Sequence, residues 1–537
     1  ACAQNDEDGW RAMSEQQRST TMDRVATELR MARDDLMGAA IADAGKTLAE
    51  SDPEISEAID FVEFYSRAAE DIYGTEGLAS QPLGVVVVVA PWNFPLAIPC
   101  GGIAAALAAG NTVILKPASS SVLAAYQLCQ CFWRGGISMR SLQLVPCRGA
   151  TEGLQLVAHD DVDAVILTGG TQTALSMLKH KPTINLTAET GGKNATIVTA
   201  LADRDQAIKN VIHSAFGHSG QKCSATSLLI LEEEVYDDEH FKETLCDAVR
   251  SLHVGSAWDL ETRVGPLIQP PTGDLLGALK ELEPGESWAV RPQQDKTNAN
   301  LFSPAVKWGV TPRSITHMTE FFGPVLGVMK ARSLHEAIDL VNETGYGLTS
   351  GLESLDDREQ DIWQKRIRAG NLYINRSTTG AIVLRQPFGG IGKSAFGPGI
   401  KAGGPNYVAQ FMQFQDDGST PAAEALSNEQ MLLLQSHLQN LEDDCTYLPN
   451  SDLNSTLAAI NSYDYYMRTE FGVTHDHFCL VGQDNLRRYR AVDHIRIRIH
   501  PDDTAFEIMA RVCAAKIAGC HITVSSPIHF YSSLVTA

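Results

Sequence analysis

Apolar positions along the chain change rhythm twice. Over residues 1–72, Trp10, Met13, Met22, Val25, Leu29, Met31 and Leu36 recur at roughly helical spacing. Ser51-Asp-Pro-Glu54 then offers a capping side chain and a first-turn proline, so a further helix carrying Ile55, Ile59 and Val62 is predicted to start there. From Gly84 short apolar runs alternate with longer segments. Strands are predicted at Val85–Ala90, Thr112–Leu115, Leu142–Val145 and Ala164–Leu167, with helices at Ile98–Ala109 and Ser121–Phe132. That alternation is the pattern of a parallel sheet with helices on both faces, an α/β Rossmann-like domain. A second α/β stretch follows, with helices at Asp203–Phe216, Leu334–Asn342 and Gln360–Ile367 and strands at Ser227–Leu231 and Asn371–Asn375. Between Gly255 and Lys307 the pattern is irregular and polar. Beyond Gln415, Asp416-Asp-Gly-Ser-Thr-Pro-Ala-Ala423 reads as a linker. A helix at Glu429–Leu441 and a strand–helix–strand run at His494–His500, Thr504–Ala518 and His521–Ser525 then form an additional C-terminal α/β segment. Three divisions are expected: 1–189, 190–414 and 415–537.

Composition narrows the partners. The chain has 537 residues, 44% hydrophobic and 20% charged, with a formal net charge of −22, so nucleic acid and anionic membrane surfaces would repel it. Arg487-Arg488-Tyr489-Arg490 reads as a solvated or salt-bridged face. No apolar run approaches the length of a membrane span. Eleven scattered cysteines without CxxC pairs suit a reducing, cytoplasmic setting and give no metal-ligand cluster. The chain starts at Ala1 with no Met and no signal-peptide pattern, as a piece of a longer polypeptide would.

Three segments carry candidate chemistry. Phe216-Gly-His-Ser-Gly-Gln-Lys-Cys-Ser-Ala225 sets Cys223 among small residues, where a sulfur nucleophile could reach a carbonyl. Cys100, Cys129, Cys131, Cys246 and Cys513 lack such a setting and read as small buried hydrophobes. Leu186-Thr-Ala-Glu-Thr-Gly-Gly-Lys-Asn194 places Glu189 beside paired glycines as a base for water. Ala90-Pro-Trp-Asn-Phe-Pro95 ends a run of five valines and offers the Asn93 amide as an oxyanion donor. No GxGxxG follows the first strand, but Thr168-Gly-Gly-Thr171 follows a strand and opens a helix, a setting for phosphate at Gly169 and Gly170.

These segments, in this order, resemble the aldehyde dehydrogenase superfamily. Ile114-Leu-Lys-Pro-Ala-Ser119, Leu167-Thr-Gly-Gly-Thr171, Glu320-Phe-Phe-Gly-Pro324 and Gln386-Pro-Phe-Gly-Gly390 extend the likeness from about Trp10 to Phe414. Gly370-Asn-Leu-Tyr-Ile-Asn-Arg-Ser-Thr-Thr-Gly-Ala-Ile-Val383 and Lys401-Ala-Gly-Gly-Pro-Asn-Tyr407 are similar to the branch that oxidises L-glutamate γ-semialdehyde, formed from Δ1-pyrroline-5-carboxylate, often fused behind a proline dehydrogenase. The resemblance implies Cys223 as nucleophile, Glu189 as base and Asn93 as oxyanion donor. It implies NAD held by Pro91, Trp92, Lys116, Ser119, Gly169, Gly170, Glu320 and Phe322, and an aldehyde held by Ser224, Gly380, Ala381 and Phe388. Ser119 stands where the family often has Glu and does not repel a 2′-phosphate, so NADP is admitted beside NAD. Thr190 and Gly170 depart from the family's usual Leu and Ser. A homo-oligomer with no bound metal is expected, and the C-terminal segment resembles part of the extra domain of longer proline-utilisation proteins. A dehydrogenase for another small carboxylated aldehyde, such as succinate semialdehyde, and an inactive dehydrogenase-like structural module stay open.

Overall fold

The computed structural model describes residues 2–417, 425–440 and 449–526. The chain forms two compact units, Ala1–Gln415 and Asp416–Ala537.

In the first unit, helices Glu15–Met31, Arg33–Ala44 and Leu48–Tyr73 precede the first sheet. The third of these begins before the predicted Ser51-Asp-Pro-Glu54 cap, leaving Pro53 inside the helix. Burial outweighs the local signal there: Ser51 is fully enclosed with its hydroxyl donating to Thr47 O at 3.0 Å, and Glu50 is drawn inward by an ion pair with Lys222 at 3.1 Å. Helix Ala97–Ala108 lies between this helix and the sheet. A Cβ at Gly101 would stand 3.2 Å from the Phe61 ring and one at Gly102 3.0 Å from Val88, so a larger residue at either position would press on its neighbour.

The first sheet runs Ala395–Phe396, Leu186–Glu189, Ala164–Thr168, Val85–Val89, Thr112–Lys116, Leu142–Leu144. All its pairs are parallel except the Ala395–Phe396 edge. The five-valine strand is buried along its whole length, as a central parallel strand covered on both faces must be. Because the chain leaves Val85–Val89 toward Thr112–Lys116 and later returns on the other side with Ala164–Thr168, the order reverses there. The carboxyl ends of those strands flank the crevice where open α/β sheets bind ligands.

The second sheet runs Asn371–Ile374, Thr349–Glu353, Ala195–Val198, Leu228–Glu232, Val325–Ala331, Ala305–Trp308, Ser287–Val290, with only the last strand antiparallel. Alternate residues face two cores: Leu229 and Leu231 pack with helices Arg204–Phe216 and Glu239–Arg250, while Leu228 and Ile230 pack with Leu334–Glu343 and Asp357–Arg366. The irregular stretch Gly255–Lys307 contains helix Gly273–Lys280, the edge strand Ser287–Val290 of this sheet and most of its neighbour Ala305–Trp308. The reason it does not read as sheet is Lys307, a charge in mid-strand that the fold buries against Glu286 at 3.1 Å.

In the second unit, strands His494–Arg498 and His521–Ser525 pair in parallel across helix Ala505–Ile517, which starts with a Thr504/Glu507 capping box. Helices Glu429–Asn440 and Asn450–Tyr466 complete it. The second of these was not expected from the sequence, its apolar face being Leu453, Leu457, Ile460 and Tyr463. Arg487 pairs with Glu470 at 2.9 Å, placing part of the basic run in a salt bridge. The expected linker lies mostly outside the described residues, as does Leu441. No described helix is long and apolar enough to cross a membrane.

One buried ion pair ties the N-terminal helices to the crevice. Lys46 and Glu54, neither with any exposed side chain, pair at 2.8 Å. Glu54 also accepts from the Leu96 and Ala97 N–H groups at the start of the central helix, at 2.8 and 3.1 Å. Removing one partner strands the other charge in the core, so Lys46→Met is expected to cost about 3–5 kcal/mol. A urea midpoint that falls at unchanged slope would show this. An unshifted midpoint would mean the pair contributes nothing.

Candidate active site

Cys223 sits at the end of a strained turn. His218 and Ser219 have φ of 49° and 56°, left-handed values that non-glycine residues rarely adopt, and Gly220 follows at 69°. A Cβ at Gly220 would lie 2.2 Å from Gly323 O, so backbone from two loops meets there. Such strain costs on the order of 1–3 kcal/mol per residue and persists only when neighbours over-determine it. They do: Gln221 Nε2 donates to His218 O at 3.1 Å, Gln221 Oε1 accepts from Ile268 N at 2.9 Å, and the Ser219 hydroxyl donates to Gly265 O.

Beyond the turn, Asn194 Nδ2 donates to Cys223 O at 2.6 Å and to Ala225 O at 3.0 Å, while its Oδ1 accepts from Thr349 N at 3.0 Å. Thr378 Oγ1 donates to Ser224 O at 2.9 Å, and Thr378 N donates to Ser214 Oγ at 3.0 Å. The Ser377–Ile382 loop is thereby fastened to the cysteine loop. Within it Gly380 is exposed and Ala381 half-buried, and Thr379 Oγ1 is buried with no hydrogen-bond partner.

Asn93 is buried in the loop after the valine strand. Its Nδ2 donates to Gln221 O at 3.0 Å, leaving the second N–H of the amide for a ligand. Its own carbonyl accepts from Lys46 Nζ at 3.0 Å. Glu189 ends its strand, and its Oε2 accepts from Gly390 N at 3.2 Å. Burial pushes the Glu189 carboxyl up to about 8 against the opposing Gly390 N–H and Lys401. Burial likewise pushes the Cys223 thiol up to about 12, with the Glu320, Glu189 and Glu57 carboxylates adding to it and the Ser224 N–H opposing. The resting sulfur is therefore a protonated thiol.

Strand register lines up the cofactor candidates. Lys116 pairs with Val89, Val89 with Leu167, and Thr168 with Glu189, so Lys116, Pro91, Gly169 and Gly170 follow adjacent strand ends. Gly170 caps helix Thr171–His180 without a side-chain bond, and a Cβ there would meet nothing. Lys116 is buried, its Nζ donating to Pro117 O at 2.8 Å; burial lowers its pKa. Ser119 is exposed. The Trp92 ring meets the Phe322 ring edge-on at 5.7 Å, Phe322 itself standing at φ 54°. Glu320 Oε1 accepts from Gly192 N at 2.8 Å, and burial pushes its carboxyl up to about 7. Phe388 forms a two-way backbone bridge with Ala402 at 2.8 and 2.9 Å.

Sequence reasoning gave no role to Asn194, Thr378 or Glu57. The first two stand inside quoted motifs but act through ordinary hydrogen bonds that no motif marks. Glu57 had a signal: Glu50, Glu54 and Glu57 at i, i+4 and i+7 share one helix face with apolar neighbours. Burial, then the nearby Glu54, pushes the Glu57 carboxyl up to about 8.

Comparison with known proteins gives the family. The model of the aldehyde dehydrogenase family matches residues 1–416. The chain is 34% identical over 423 residues to 1-pyrroline-5-carboxylate dehydrogenase of Geobacillus thermodenitrificans, covering 75% of this chain and 81% of that one. It is 36% identical over 420 residues to the bifunctional protein PutA of Escherichia coli, 75% of this chain but only 31% of that one. Among solved structures, proline utilization A from Corynebacterium freiburgense superposes with a TM-score of 0.88 at 41% identity, over 97% of this chain and 52% of that one. A 1-pyrroline-5-carboxylate dehydrogenase from Thermus with bound NAD gives 0.71 at 31% identity, over 77% and 83%. The chain thus spans about a third to a half of the bifunctional proteins it matches. With residues 1–416 matching its model, the chain belongs to the aldehyde dehydrogenase family.

Proposed function

We propose that this chain oxidises L-glutamate γ-semialdehyde, formed from Δ1-pyrroline-5-carboxylate, to L-glutamate with NAD, the second step of proline catabolism. One observation carries the reading: the Ser377–Ile382 loop is hydrogen-bonded to the residue after Cys223, so a group that grips a carboxylate adjoins the nucleophile. The backbone N–H groups of Gly380 and Ala381 and the hydroxyl of Ser224 suit an α-carboxylate, and the unpartnered Thr379 Oγ1 is a further donor there. Phe388 borders the aldehyde chain. The match to 1-pyrroline-5-carboxylate dehydrogenases supports the same substrate.

The chemistry follows from the groups in place. The Cys223 sulfur attacks the aldehyde carbon as its proton passes to solvent water. The free Asn93 N–H and the Cys223 backbone N–H meet the new oxyanion, each such donor contributing on the order of 3 kcal/mol. NAD, when bound, takes up the hydride from the tetrahedral carbon. Pro91, Trp92, Gly169, Gly170, Lys116, Glu320 and Phe322 would hold it; the uncapped helix start at Gly170 fits a pyrophosphate, and exposed Ser119 leaves room for NADP. Glu189 then activates water to cleave the Cys223 thioester. A proline dehydrogenase, fused or separate, would supply the substrate in the cytoplasm; the matches to bifunctional proline-utilisation proteins support that pairing.

Three outcomes are expected. Cys223→Ala abolishes NADH formation from Δ1-pyrroline-5-carboxylate, and the parent prefers that substrate to succinate semialdehyde; equal rates on both would sink the loop assignment. Asn93→Ala lowers kcat/KM by about 100-fold while the protein stays folded. Because Glu189 must be ionised to act and its carboxyl is held at about 8, steady-state turnover climbs with pH through about 8. Glu189→Gln removes that limb and slows turnover about 10²–10⁴-fold, and a profile flat from pH 6.5 to 9 in the parent argues against this base.

A further inference from the structure

Lys401 is partly buried near the base but belongs to neither the nucleophile loop nor the carboxylate loop. Its Nζ donates to Gly389 O at 3.1 Å, to Asn371 Oδ1 at 3.2 Å and, by a shorter contact, to Gly370 O. Asn371 completes a clamp on the same turn, its Oδ1 accepting from Gly389 N at 3.1 Å and its Nδ2 donating to Pro387 O at 3.0 Å. The turn so held ends in Gly390, whose N–H is the hydrogen bond on the Glu189 carboxylate. Gly389 fills the narrow space between the two: a Cβ there would stand 2.9 Å from Glu189 Oε1 and 3.1 Å from Lys401 Cγ. The lysine's own segment is anchored in turn, since Ala402 bridges Phe388 and Gly403 N donates to Tyr65 Oη at 2.7 Å.

We propose that Lys401 is a positioning residue for the hydrolytic half of the reaction: through the Pro387–Gly390 turn it sets where the Glu189 carboxylate stands, and its cation favours the ionised base. Resting on the reading of Glu189 as base, this adds a residue that need touch neither substrate nor cofactor. The charged or titratable groups around Glu189 are Lys401, the Cys223 thiol and the Tyr407 phenol; among them only Lys401 can bring a positive charge, and burial lowers its pKa to about 8 against the opposing Glu189 carboxylate. Losing it therefore shifts the base's ionisation to higher pH.

The test is stopped-flow NADH formation with Δ1-pyrroline-5-carboxylate and NAD, comparing the parent with Glu189→Gln, Lys401→Met, Lys401→Arg and Asn371→Ser. Lys401→Met is expected to keep a first-turnover burst of about one NADH per site at near-parental rate. Its steady state falls about 10- to 100-fold, the range that small misplacements of a catalytic group cause, and its alkaline limb moves upward. Lys401→Arg restores most of the rate. Asn371→Ser, which loosens the clamp but keeps the cation, gives the burst without the pH displacement, and it serves equally if Lys401→Met does not fold. A burst and steady state that fall together, or neither changing, overturns the proposal while a burst in Glu189→Gln leaves the base reading intact. Absence of a burst in Glu189→Gln overturns the base reading, and the role of Lys401 with it.

Discussion

One side-chain amide holds the site together. Asn194 lies five residues beyond Glu189, where the chain has left the first sheet and is about to enter the second. Its donors grip the carbonyls of Cys223 and Ala225 and its acceptor takes Thr349 N from the second sheet. Nucleophile loop, base strand and second sheet are thus fixed to each other by three hydrogen bonds from one buried residue. The left-handed turn at His218–Gly220 can persist because its far end is fastened in this way, and the thiol is delivered next to Glu189 without help from a regular element.

Burial then sets the chemistry. Desolvation of one thiol and three carboxylates set close together penalises every negative charge among them, and Cys223, Glu189, Glu320 and Glu57 all shift upward. A nucleophile kept protonated does not react prematurely, and a carboxyl held near 8 can both take a proton and release it near neutral pH. The opposing cations are few and placed: Lys46 sits on the Asn93 carbonyl, Lys193 lies near Glu320, and Lys401 lies behind Glu189. Each of these lysines lies beside a residue assigned to the reaction or to the cofactor.

Much of the fold was legible because its signals were local. The five-valine run could only be a buried parallel strand, and the alternation after it carried the first sheet. Gly255–Lys307 was illegible for the opposite reason, since Lys307 is tolerable in a strand only once Glu286 is known to face it. The same holds for the helix that begins at Leu48, where Pro53 misleads and the partly buried Glu50–Lys222 ion pair decides. In the site, Cys223, Glu189 and Asn93 stood in distinctive motifs. Asn194, Thr378 and Lys401 act across long sequence separations, and nothing in their own neighbourhoods records what they touch, whereas Glu57 was marked by its spacing with Glu50 and Glu54.

The most direct measurement is to trap the covalent intermediate. The Glu189→Gln variant, given NAD and Δ1-pyrroline-5-carboxylate and quenched in acid, would be digested and its cysteine peptides weighed by mass spectrometry. The account predicts a γ-glutamyl thioester on the peptide containing Cys223 and on no other cysteine. An unmodified Cys223 while NADH forms, or an adduct on a different cysteine, would contradict it.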